Sequence, residues 1–105
     1  MSVLLFVESP EEFKNFTVPV SGESYFREIW LPIAEKLELK IIPLFEVGMS
    51  FSNQDIPIIL KELNLLENEA NRLFSPDEHI FARISLLQDG LNTLRNIDNL
   101  DFFIG

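Results

Sequence analysis

The chain has 105 residues, enough for one domain with one core, and 47% of them are hydrophobic, with ten Phe, which is too apolar for intrinsic disorder. Seventeen Asp and Glu against eight Lys and Arg leave a net charge of -9, a field that repels phosphate backbones and anionic lipid and so argues against nucleic acid and membrane surfaces as partners. The absence of Cys excludes a disulfide framework, thiolate catalysis and a thiolate metal site.

Ser2 to Val7 is a nearly continuous apolar run, short of the roughly 18 residues of a membrane span and unlike a secretory signal, so a cytoplasmic protein is expected. Such a run suits a strand buried on both faces, inside a sheet. Ser9-Pro10-Glu11-Glu12 turns the chain. A second extended segment follows, residues 16–20, and Pro19 within it marks an edge strand because proline cannot donate to a ladder. Ser21 or Ser24 then caps a helix whose apolar stripe is Phe26, Ile29, Trp30, Ile33, Ala34 and Leu37. Pro32 lies inside that helix and predicts a kink or a break. Lys40 to Glu46 reads as the next strand, with Pro43 arguing for an edge or a bulge, and a strand, helix, strand sequence here suggests a parallel unit.

Residues 47–53 read as a loop in which Gly48 is free to take positive φ. The second helix is capped by Asp55 or Ser52, with Pro57 near its start, and its stripe is Ile56, Ile59, Leu60, Leu63, Leu66, Ala70 and Leu73. Ser75-Pro76-Asp77-Glu78 is a helix-start signal for a third helix with the stripe Ile80, Ile84, Leu87, Leu91 and Leu94, weakened at Gly90. The alternation of Leu100, Phe102 and Ile104 with Asp101 and Phe103 reads as a last, half-buried strand. Residues 1–105 thus form a single α+β domain of two layers, about three helices on a small mixed sheet of three to four strands, in the order β-β-α-β-α-α-β.

Chemistry is sparse. His79 is the only histidine, stands in the first turn of the third helix and has no partner motif, so it reads as a solvated helix-start residue and not as a general base. Carboxylate pairs are expected by chance at this density. Residues 96–101 offer oxygen ligands without the spacing or closing Glu of a calcium loop. No cofactor, metal or catalytic set is expected. More informative are Met49, Phe51 and Leu65, apolar residues off the helix stripes, which would form a patch rimmed by Glu46, Asp55 and Glu62, with Glu69 on the same helix face as Glu62. Apolar patches with polar rims mark partner sites. On this reading Glu62 and Glu69 stand on the surface, and reversing their charge costs the fold no more than about 0.5 kcal/mol.

Residues 26–48, FREIWLPIAEKLELKIIPLFEVG, followed by residues 52–63, SNQDIPIILKEL, carry a general resemblance to the immunity proteins of bacterial toxin systems. The resemblance implies a non-enzymatic inhibitor that covers a basic toxin, carboxylates standing where phosphates would bind. Two other readings use the same residues. One is a homodimer or larger homo-oligomeric accessory protein joined through Leu65, Phe102, Phe103 and the edge strand. The other is an enzyme or carrier of a small ligand, with a pocket between helices and sheet.

Overall fold

Strand β1 (Ser2–Ser9) opens the computed structural model, which describes residues 2–105, and buries Val3, Leu5 and Val7 while turning Leu4, Phe6 and Glu8 to its other side. A strand with apolar residues on both faces belongs in the middle of a sheet. It lies there, in a four-stranded sheet of order β2-β1-β4-β3. β2 (Thr17–Gly22) is an edge strand, as Pro19 requires. β4 (Asp101–Ile104) is central and buries Phe102 and Ile104. The α+β class and the element order hold, but every pairing is antiparallel, so the sheet is not mixed. A parallel unit needs the strands flanking the first helix to be neighbours, and they occupy opposite edges.

The first helix, α1, runs over residues 23–36 without a break. It accommodates Pro32 by a π-helical turn, Phe26–Trp30, in which the Leu31 N–H reaches back five residues to the Phe26 carbonyl. The wider turn makes room just ahead of the pyrrolidine ring, which in a regular helix crowds the carbonyl four residues back. Gly22 stands at the helix start with no side-chain cap, and the Ser21 hydroxyl bonds instead to the Gly22 carbonyl. The helix ends where Glu38 takes a positive φ of 57°, with Leu39 donating to Ala34.

The predicted strand at Lys40 to Glu46 is a 3₁₀ helix, Ile42–Glu46. Its buried residues, Ile42 and Phe45, are three apart, one turn of such a helix, and Pro43 has no N–H for a ladder. The third strand, β3, is instead Met49–Ser52, within the predicted loop, and pairs with β4 at the other edge of the sheet. Gly48, just before it, does take positive φ, 92°. A side chain there would also collide with the Phe103 ring.

Helix α2 (Ile56–Leu73) follows a short 3₁₀ turn, Asn53–Asp55, closed by a reciprocal capping box in which Ser52 is the cap and the Asp55 carboxylate accepts from the Ser52 N–H at 2.9 Å. Helix α3 (His79–Leu94) packs on α2 and on β2. Gly90 permits the latter contact, since a Cβ built there would lie 2.7 Å from Val18 Cγ2. One continuous buried cluster joins the three helices to one face of the sheet. An aromatic chain runs through it: Phe26 to Phe45 at 6.4 Å, Phe45 to Phe51 at 6.1 Å and Phe51 to Phe102 at 5.6 Å.

Candidate functional site

The seven residues expected to form a partner site fall into three groups. Glu62 and Glu69 are 7% and 8% exposed, not surface residues. The Glu62 carboxylate faces the start of the 3₁₀ helix and accepts the backbone N–H groups of Lys40, Ile41 and Ile42, at 3.0 Å in its shortest contact with each. These are the orphan donors of a helix start, and the next residue, Pro43, has none to add. A side chain from α2 therefore caps a turn twenty residues earlier and fixes the chain between α1 and β3. The same arrangement explains why residues 40–46 form no strand.

Glu69 is held between Lys36 Nζ at 2.6 Å and Arg72 at 2.7 Å, which ties α2 to α1. Hydrogen bonds from Lys36 and then Arg72 hold its carboxyl below the usual carboxylate range, against the opposing effect of desolvation. Reversing the charge of either residue would break a contact inside the fold, so the expected 0.5 kcal/mol ceiling does not apply. Neither carboxylate is free to dock a partner.

Phe51 and Asp55 are likewise taken up within the chain. Phe51, 7% exposed, turns into the core, and Asp55 closes the capping box. Glu46 is exposed on the 3₁₀ helix and meets Arg27 Nε at 3.4 Å, while another Arg27 nitrogen binds Glu23 at 2.8 Å. Met49 and Leu65 do remain open, at 43% and 42% exposure, but they stand on different elements, an edge strand and α2. Phe51, buried in the core, adds nothing to an exposed patch.

The Tyr25 hydroxyl plays a part that sequence reading missed. It donates to Glu78 Oε1 at 2.8 Å and accepts the Ile80 N–H at 3.2 Å, capping α3 from α1. The expected Ser75 box does not form. The Ser75 hydroxyl turns to Asp77 at 2.6 Å, and the helix begins at His79 with Glu78 before it. Burial first, then the bond and charge of Glu78, push the Tyr25 hydroxyl up to about 12, with the Ile80 N–H pulling the other way. His79 Nε2 accepts from Arg83 Nε at 3.1 Å, and its ring stands edge-on to Tyr25 at 5.4 Å. No serine hydroxyl or carboxylate completes a catalytic arrangement with it among the described contacts.

Among the described residues no cluster of His, Asp or Glu has the geometry to hold a metal ion, and no pocket opens between helices and sheet. Trp30 Nε1 is buried without a hydrogen-bond partner. No helix among the described residues is long and apolar enough to cross a membrane. Comparison with protein-family models, curated protein sequences and solved structures finds no match.

On the side of the sheet away from the helices Thr17, Pro19 and Ser50 are exposed, while Leu4, Phe6 and Phe103 are half-buried. Register places Thr17, Phe6, Phe103 and Ser50 in one row across it, with Leu4 beside Pro19 in the next. Leu4, Phe6 and Phe103 stand apart from the main core, and the Phe6 and Phe103 rings are 5.1 Å apart. At the far end lie two exposed carboxylates: Glu8 accepts from Ser50 Oγ at 2.9 Å and Asp101 from Ser9 Oγ at 3.0 Å.

Proposed function

We propose that this chain is a non-enzymatic, acidic protein-binding domain that neutralises a basic protein, in the manner of the immunity proteins of bacterial toxin systems. The observation that carries the reading is the charge left over after internal pairing. Among the described residues only Glu11, Glu23, Glu46 and Glu69 form ion pairs, and these engage Lys14, Arg27, Lys36 and Arg72. Most of the seventeen carboxylates thus face solvent with no cation of their own. A field of one sign steers a partner of the other sign and rejects wrong ones.

The test begins with the genes that flank this one, above all a large secreted toxin immediately upstream. The toxin domain and this protein are then mixed at several ionic strengths. A complex whose association rate falls steeply as salt is raised supports the reading. A basic neighbour that never co-elutes, or a complex indifferent to salt, would sink it. Homo-oligomerisation is the second reading, favoured by the open edge of β3, where Met49 is exposed. It predicts a dimer by light scattering that persists at high salt.

A further inference from the structure

We infer that the helix-free face of the sheet is the docking surface itself, and that its occupant is a protein surface with an apolar half beside a cluster of lysines or arginines. The inference rests on the proposed function and adds the place and the chemistry of contact. The argument begins with what the strands lack. None of the four contains Lys or Arg, although the chain has eight. The face is divided along its length: Pro19, Leu4, Phe6 and Phe103 make an apolar half, and Glu8 and Asp101 make an acidic end.

Two cations beside the strands have partners within the chain. Lys14, in the turn after β1, pairs with Glu11 at 3.1 Å. Arg83, reaching the β2 edge, is hydrogen-bonded to His79 and to the Pro19 carbonyl. The turn after β1 adds the exposed Glu12 to the acidic end, the charge of Glu11 being offset by Lys14. The Ser9 and Ser50 hydroxyls orient the two carboxylates without neutralising them. Phe103 is also held in place, because its ring lies against Gly48 and Gly105, where any side chain would displace it. An anchor of this kind loses little conformational entropy on binding.

A second copy is a poor occupant. Its own strands bring no cation, so a two-fold, face-to-face pairing sets carboxylates against carboxylates or over the apolar half. Nucleic acid and anionic lipid are repelled by the same charge. A cationic protein surface satisfies both halves at once.

The probes are a short peptide with leucines in one half and lysines in the other, and its counterpart with serine in place of leucine. Each is titrated into the isotope-labelled full chain while backbone amide shifts are followed. The expected result is shifts grouped at Leu4, Phe6, Asp101 and Phe103, and affinity for the leucine peptide about tenfold above the serine one, the size of one good apolar contact. Glu8→Lys with Asp101→Lys should abolish binding of both peptides while leaving the melting transition in place. Equal binding of the two peptides, with shifts at Glu23, Glu28 and Glu35 of α1, overturns this inference but leaves an acidic binding domain standing. Absence of binding by either peptide overturns both. Concentration-dependent shifts at Phe6 and Phe103 without peptide, with a dimer in sedimentation, assign the face to a second copy and overturn the inference.

Discussion

Where α1 and α2 meet, the carboxylates of Glu62 and Glu69 turn inward and serve the chain itself, whereas on the bare face of the sheet those of Glu8 and Asp101 have only hydroxyl neighbours and face solvent. The first pair holds the connection from α1 to β3 in place. The second contributes charge and little else to folding. Residue type does not separate the two pairs. What separates them is what lies within reach: unsatisfied backbone donors at the start of the 3₁₀ helix for Glu62, the Lys36 and Arg72 side chains for Glu69, and for Glu8 and Asp101 only serine hydroxyls beside a paired strand.

The contrast can be broken most severely at Glu62. Glu62→Ala leaves three backbone donors without their acceptor and should cost about 3 kcal/mol in denaturant unfolding, with Glu62→Gln in between because one carbonyl acceptor survives. An unchanged midpoint for Glu62→Ala would show that solvent satisfies those donors equally well. Glu69 should matter less, since both its partners are exposed lysine and arginine side chains. Its effect is tied to pH. The folded carboxyl is held below its ordinary value of 4.5, so its contribution is complete above that value and is lost as pH falls through the lowered one. Glu69→Gln should therefore narrow the gap to wild type in acid melts, and a gap constant from neutral to acid pH would contradict the ion-pair account.

Tyr25 carries the comparison to a neutral group used inside the fold. Tyr25→Phe removes the cap of α3 and should cost about 1 kcal/mol, as lost caps do. Because folding raises this hydroxyl from 10.0 to about 12, its contribution is full below its ordinary value and fades as pH climbs through the raised one. Wild type and Tyr25→Phe should converge in alkaline melts. Smallest of all, Glu8→Lys with Asp101→Lys should stay within about 0.5 kcal/mol of wild type, as exposed substitutions do. A larger loss would mean that the open face is part of the scaffold.

Much of the scaffold was legible before any coordinates. The run at Ser2 to Val7 marked a central strand, Pro19 an edge, and the three- and four-residue steps of Ile56 to Leu73 and Ile80 to Leu94 two helices whose stripes are buried, except that Leu60 is half-buried and Leu73, at the helix end, is exposed. The strand at Met49–Ser52 was also written in the alternation of Met49 and Phe51 with Ser50 and Ser52, but beside Gly48 it read as loop. Residues 40–46 misled in the other direction. Their β-branched and aromatic content favours a strand, and only the carboxylate of Glu62 arriving from a later helix makes a 3₁₀ turn the better home for those N–H groups.

The partner site fared worse, and for a related reason. Glu62 and Glu69 look like surface residues because charged helix positions usually are, and no local pattern reveals that each has a partner twenty or more residues away. The sequence by itself determined the α+β class, the order of the three helices and the excess of negative charge, because periodicity and composition are properties of neighbouring residues. Only the tertiary structure decided which carboxylates are used within the fold, which edge each strand takes and which face of the sheet stays bare. Those outcomes depend on contacts between residues far apart in the chain, and the backbone groups left unsatisfied by one element select the side chain of another.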